Sequence, residues 1–521
     1  MNFAGFLELH ARSNPHRLAL ADNRCRLSFA EFDDLASRFA EAMAELGLVR
    51  GDRVGIFLPN RVEVAIVLLG CMKAGYLPVP FNSRLRGDDL TRVVGHSDPA
   101  CIVTTAAALP EFIFTRARSV LTVDEEQRTG GFWTALERMT GHYPSIGVQA
   151  GEPANLLYTS GTTATPKAAI HTHGMRIAIA GAMADSFRLS QTDIALAVSP
   201  LFHTSGMSVL SNAIFVGCPC IMVEKWDLDD FLRVVESERV TFMHMIATLI
   251  VDVATADEVR FAQLTHRMRM TWGGGHKVDP AVLEQFEQRM GGVLLQGYSR
   301  TEGGLTYNRL PPMERRFDHN GYENFNSSRV AIFDPDTHAP VPVGETGLIA
   351  VQGDGVSPGY WDGDFVRRPK LIDNVWQPTG DIGFLDDAGA LHFIGRLDYM
   401  IKTGGENVFP SEVEAVLLAL DQVTDAVVVG IDDTRFGQRV CAIVVPSRAG
   451  ASADEIITAC RRSLSGFKIP KTILFQDHLP RLGNSKVDIK ACVALVEASL
   501  EPHPDASSRR NTPSVRDGVA Q

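Results

Sequence analysis

Between Leu27 and Met245 short apolar runs alternate with segments of helical period, and that alternation constrains the fold more than any other feature of the chain. Leu27 to Leu46 reads as a helix. Ser28 and Glu31 have the spacing of a capping box, Phe32, Leu35, Phe39, Met43 and Leu46 share one face, and Gly47 supplies the stop. A strand follows at Arg53 to Leu58, a helix at Val62 to Met72 and a strand at Tyr76 to Pro80. Further strands are predicted at 100–104, 156–159, 194–199, 219–223 and 241–245, separated by helical patterns. Strands that alternate with helices must cross over to pair, which predicts parallel sheets covered on both faces.

The texture changes after about residue 320. Short, turn-bounded strands at 329–333, 347–352 and 390–394 in a Gly-rich stretch predict a β-rich subdomain. From Arg396 a compact unit carries strands at 426–431 and 440–445 and helices at 411–420 and 454–464. The expected architecture is α/β: two doubly wound sheets plus the β-rich subdomain in residues 1–395, then a small α+β domain in 396–498. Residues 499–521 are polar and Pro/Ser-rich, and are expected to be a disordered tail.

With 521 residues the chain exceeds one ordinary hydrophobic core, in agreement with two domains. A formal net charge of −12 argues against a nucleic-acid backbone as partner. The eight cysteines form no C-x-x-C pair, sit in apolar segments and read as buried thiols of a reducing compartment. Cys218 and Cys220 lack partners for a zinc site and are taken as structural. No apolar run reaches about 18 residues and the first residues lack a leader pattern, so a cytoplasmic protein without integral membrane association is expected.

The strongest local signal is Tyr158-Thr-Ser-Gly-Thr-Thr-Ala-Thr-Pro-Lys167, a loop leaving a strand. Its hydroxyls, backbone amides and closing lysine can wrap a polyphosphate. Taken alone, it reads better as a Ser/Thr-rich surface turn. It is no Walker A loop, since the chain contains no Gly-Lys dipeptide. Further along come Pro200-Leu-Phe-His203-Thr-Ser-Gly206, Trp272-Gly-Gly-Gly275 and Gln296-Gly-Tyr-Ser-Arg-Thr-Glu302. Gly344 to Gly347, Gly359-Tyr-Trp361 and Thr379-Gly-Asp381 follow, then Gly395-Arg-Leu-Asp398, Ile401 to Val408 and Pro480 to Lys486.

This ordered set resembles the AMP-forming acyl-CoA synthetase family, which includes fatty acid and aryl CoA ligases, firefly luciferase and peptide-synthetase adenylation domains. The likeness covers residues ~1–498, and agreement of so many weak motifs in order is what makes it specific. It implies an ATP-dependent carboxylic acid:CoA ligase that makes an acyl-adenylate and releases pyrophosphate and AMP, with ATP, Mg²⁺ and coenzyme A as its small molecules. By resemblance, Thr159, Ser160, Gly161, Thr162, Thr163 and Lys167 hold the phosphates. Gly274, Gly275, Gly297, Tyr298, Ser299 and Thr301 surround the adenylate, with Tyr298 stacked on adenine. Asp381 and Arg396 take the ribose. Glu302 and Thr162 are the metal side, and Lys486 reaches both the acid and the α-phosphate.

His203, His244 and Gly275 fall to the acyl pocket, although each histidine, His244 more readily than His203, also reads as a satisfied core residue. Asp398 is the hinge of a mobile C-terminal domain, whose rotation replaces Lys486 by Lys402 and brings Gly404 and Gly405 to the coenzyme A path. His171 and His173 are read as structural. Taken singly, Lys486 could be a solvated lysine, Glu302 a turn cap and Asp381 a turn residue.

Several positions depart from the family pattern: Ala164, Ala168, Ser299, Arg300, Tyr399 and Ser485. They keep two alternatives open: an adenylate-former that delivers to a carrier-protein pantetheine or an amine, and a nucleotide-binding protein with impaired catalysis. Gly206 and Gly273 to Gly275 suit an unblocked pocket, and no charged residue stands out as awaiting a second carboxylate. The expectation is a hydrophobic acid.

Overall fold

The computed structural model describes residues 1–113, 115–124, 130–159, 166–274, 278–308, 317–363, 365–447, 452–482 and 487–500. Of the residues singled out above, Ser160, Gly161, Thr162, Thr163, Ala164, Gly275, Ser485 and Lys486 lie outside this set. The chain divides into a large unit, Met1–Thr379 with Gly383–Phe393, and a small one, Gly380–Ile382 with the chain from Ile394.

In the large unit a seven-stranded sheet runs in the order Val293–Gln296, Met270–Gly274, Phe242–Ile246, Ala195–Ala197, Cys220–Met222, Leu18–Ala21, Arg26–Ser28. All neighbours are parallel except the last pair. Side chains of one strand point alternately to two separate cores: Phe242 to one and Met243 to the other, Leu295 and Leu294 likewise. Both faces are therefore buried, which is why these strands read as continuous apolar runs. A second, all-parallel sheet orders Leu77–Pro80, Arg53–Phe57, Cys101–Thr105 and Ser119–Val123. The two expected parallel sheets are present.

The helix Phe29–Glu45 begins with the full Ser28/Glu31 capping box. It packs on Val62–Ala74, every residue of which is buried. Gly70 allows that contact, since a Cβ there would stand 2.6 Å from the Ala36 carbonyl oxygen. Two four-stranded sheets complete the large unit's β structure. One orders Arg329–Phe333, Gly347–Gln352, Gln377–Leu385 and Leu391–Arg396, its last two strands extending into the small unit. The other orders Phe365–Arg367, Tyr360–Asp362, Ala168–Thr172 and Pro153–Tyr158, with antiparallel neighbours. The strand expected at 156–159 is thus real but antiparallel, because the loop it feeds returns directly as Ala168–Thr172. Ala168 is an ordinary strand residue there, 0% exposed, and its methyl group meets no left-handed backbone.

The small unit is built on a long hairpin, Val423–Asp433 with Gly437–Pro446, and the free edge of Gly437–Pro446 pairs with Ile401–Thr403 of the Ile401–Thr403/Glu406–Val408 hairpin at its start and with Thr472–Phe475 further along. Helices Pro410–Leu418 and Ala453–Ser463 share one core with Val428, Ala442 and Val444. Ile489–Leu500 packs on the other face, through Cys492 and Val496 against Val427, Val429 and Ile443. The tail expected from 499 begins inside this helix, and residues 501–521 lie outside the described set.

Candidate functional site

The motif loops of the large unit leave the carboxyl ends of parallel strands. Gly274 ends one strand, Gln296 ends the next and leads into Gly297 to Glu302, and Ala197 leads through Ser199 to His203. In open α/β sheets this edge is where ligands bind. A cleft lies here. Helix Thr204–Val216 lines it with Thr204, Met207, Ser208 and Ser211, and helix His173–Phe187 with Met175, Arg176 and Ile179. His244, Trp272, Ser299 and Arg300 also line it.

Glu302 follows the cleft loop and is 13% exposed in its side chain. The Tyr360 hydroxyl donates to its Oε1 at 2.5 Å, and Arg300 Nη2 stands 3.4 Å from its Oε2. The backbone around it is fixed from both sides: the Glu302 carbonyl accepts from Ser357 N–H at 2.8 Å, and the Thr301 carbonyl faces His171 Nε2 at 2.7 Å. Gly303 turns the chain at φ +81°, where a Cβ would stand 2.0 Å from the Gly355 carbonyl oxygen. Only glycine fits there. Among the described residues no three metal-ligating side chains cluster. A carboxylate has about four acceptor sites and Arg300 sits at the long end of ion-pair range, so Glu302 can still offer oxygen to a hard cation that keeps its own waters.

The loop 159–167 closes at its base. Thr159 N–H donates to the Lys167 carbonyl at 2.9 Å, and exposed Lys167 carries its Nζ over the Tyr360 ring at 5.9 Å. Tyr360 thus stands between the lysine of one motif and the carboxylate of another. Gly297 packs under Trp272, its Cβ position 2.6 Å from the indole nitrogen. Tyr298 is fixed by Asn320 and Thr306, and is only 7% exposed among Val330, Ile332, Ile349, Val351 and Leu391.

A profile of the AMP-binding enzyme family matches residues 7–361, and one of the AMP-binding enzyme C-terminal domain matches 412–486. The chain belongs to the AMP-binding enzyme family. Feruloyl-CoA synthase of an Amycolatopsis species is 30% identical over 92% of the chain and 95% of that protein. Among solved structures, ATP-bound MatB from Rhodopseudomonas palustris aligns at TM-score 0.88, with 26% identity over 96% of this chain and 100% of that one. The o-succinylbenzoate CoA synthetase of Bacillus subtilis, in complex with its acyl-adenylate OSB-AMP, aligns at 0.80, with 26% identity over 94% and 97%.

Within this AMP-binding enzyme, His244 and Ser299 line the cleft, whereas His203 precedes helix Thr204–Val216 and packs on Phe202, ring centroids 4.6 Å apart. His244 lies 4.2 Å from the Trp272 ring, and burial pushes its pKa down to about 4. His171 falls to about 3 for the same reason, with Arg176 adding repulsion, and His173 accepts from Phe3 N–H. In the small unit Arg396 Nε meets Asp381 Oδ1 at 3.2 Å, with Asp381 4% exposed, while the Asp398 side chain is 76% exposed. Lys402 is exposed on the strand before Gly404 and Gly405, whose φ values of +60° and +87° make the two-residue turn of a hairpin.

Two sequence expectations fail. Gly206 and Gly273 do not open the pocket: a Cβ on Gly206 would meet the Ser199 carbonyl oxygen at 2.3 Å, and one on Gly273 would meet Ile250 at 3.0 Å. Both serve backbone and core packing. Nor does the cleft lack charge, because Arg176 and Arg300 line it. In the sequence Arg300 stands out only as a departure from the family pattern, and nothing there marks Arg176. Tyr360 was part of a motif, but nothing in the sequence connected it with Glu302.

Proposed function

We propose that this AMP-binding enzyme is an ATP-dependent carboxylic acid:CoA ligase. A carboxylate oxygen attacks the α-phosphorus of ATP and the bond to pyrophosphate breaks. The thiol sulfur of coenzyme A then attacks the acyl carbon of the resulting acyl-adenylate, loses its proton, and AMP leaves. The observation that carries the reading is Glu302, held by Tyr360 beside the cleft at the carboxyl edge of a parallel sheet. Names of relatives support it: one is a feruloyl-CoA synthase, and another was solved with ATP and magnesium ion.

Glu302 and Thr162 would hold Mg²⁺, which when bound supplies positive charge to the phosphate oxygens. The chain's own groups do the rest. Thr159 to Thr163 and Lys167 receive the phosphates, Asp381 and Arg396 the ribose, and Lys486 adds positive charge as it builds on the phosphoryl oxygens. Asp398 is assigned as the hinge, with Lys402, Gly404 and Gly405 serving thioester formation. Eight buried cysteines, none in a disulfide, favour a reducing, cytoplasmic setting, and no described helix is long and apolar enough to cross a membrane.

Acid-dependent pyrophosphate release without coenzyme A tests the first step, and thioester formation with coenzyme A tests the second. Release with no thioester would move the acceptor to a carrier protein or an amine. No release with a broad set of acids would leave only nucleotide binding.

A further inference from the structure

Arg176 is the least expected residue of the cleft. It lies in the first turn of helix His173–Phe187, is 5% exposed and has no acidic partner among the described residues. Its Nε donates to Asn155 Oδ1 at 2.7 Å and its Nη1 to Ser211 Oγ at 2.7 Å, while Nη2 is buried with no hydrogen-bond partner. Burying a guanidinium beside two neutral acceptors is costly unless a counter-charge arrives. Desolvation lowers its pKa only to about 9, so it stays charged at neutral pH.

The rest of the described lining supplies no counter-charge. Its other titratable side chains are His171 and His244, kept neutral by burial, and Arg300, a second cation whose partner is Glu302. None of the described lining residues is acidic, in a chain of net charge −12. The cavity is small, about 30 Å³, with Met175 and Met207 as the side chains that can move to enlarge it.

We propose that the acid activated here is a compact dicarboxylic acid, one carboxylate reacting beside the Glu302 loop and the other received by Arg176. This rests on the ligase reading and names its substrate class. The orphaned Nη2 and a fixed Nη1 form a fork that a carboxylate can meet. A monocarboxylic acid of the same length would leave the buried charge unanswered, which is how a polar site rejects an analogue.

The test measures pyrophosphate release with short α,ω-dicarboxylic acids, their monomethyl esters, and fatty and aryl acids as a third arm. The expected result is a kcat/KM for the best diacid about 100-fold above its monoester. Arg176→Gln should collapse that ratio to within about threefold, whereas Arg176→Lys, which keeps the charge, should retain part of it. Equal use of diacid and monoester, or release confined to the fatty and aryl arm, overturns the assignment and leaves the ligase reading standing. Silence in all three arms overturns the ligase reading and the assignment together. The wild-type ratio decides the matter even if Arg176 variants fail to fold.

Discussion

The neighbours of Glu302 include a neutral hydroxyl at 2.5 Å and a guanidinium at 3.4 Å. The hydroxyl orients the carboxylate, and the guanidinium contributes charge that a bound cation would have to share. Glu302→Gln keeps the shape and removes the charge, so pyrophosphate release should fall about 100-fold or more. Tyr360→Phe should cost less, about tenfold, because it frees the carboxylate without discharging it. Equal activity of Glu302→Gln and the parent protein would remove Glu302 from the chemistry. The buried histidines make a separate prediction. His171, His173 and His244 have folded pKa values near 3, 4 and 4 against an ordinary 6.5, so between these limits the unfolded chain binds more protons. Stability is therefore fully present above about pH 6.5 and falls as pH drops, by about 2 kcal/mol per histidine at pH 5. Denaturant titrations at pH 7 and pH 5 read this directly, and equal or greater stability at pH 5 would contradict it.

At the scale of elements, the helix Phe29–Glu45 owes its start to Ser28, whose hydroxyl caps Glu31 N–H while the Glu31 carboxylate returns to Ser28 N–H. Ser28→Ala should lower stability by about 1 kcal/mol and leave the KM for ATP unchanged. A shift in KM would mean that this helix bears on the site. Local rules made such elements legible: the cap spacing, the short turn-bounded run of Arg329–Phe333, and the apolar runs of strands buried on both faces. Ala168–Thr172 was not legible, because Ala-Ala-Ile-His-Thr has no strand period and its partner lies across a loop. The acyl cleft escaped for a similar reason. An arginine in a helix normally reads as solvated, and only tertiary packing shows that Arg176 faces Asn155 and Ser211 instead of water. Gly206 misled in the opposite direction, since a small residue can serve a neighbouring carbonyl as readily as a ligand.

At the scale of the whole molecule, the chain forms two units that fold around separate cores. Lys486 and Lys402, both in the small unit, are assigned to different half-reactions. Lys486→Ala should therefore abolish most acid-dependent pyrophosphate release, while Lys402→Ala should depress thioester formation more than pyrophosphate release. Parallel losses in both assays for both variants would argue against the division. The central claim is that the acid's own oxygen displaces pyrophosphate at the α-phosphorus. Supplying the acid with ¹⁸O in its carboxylate and analysing the nucleotide product by mass spectrometry follows that oxygen directly. The account predicts AMP carrying one ¹⁸O atom. Unlabelled AMP, or ADP with the label in inorganic phosphate, would contradict it.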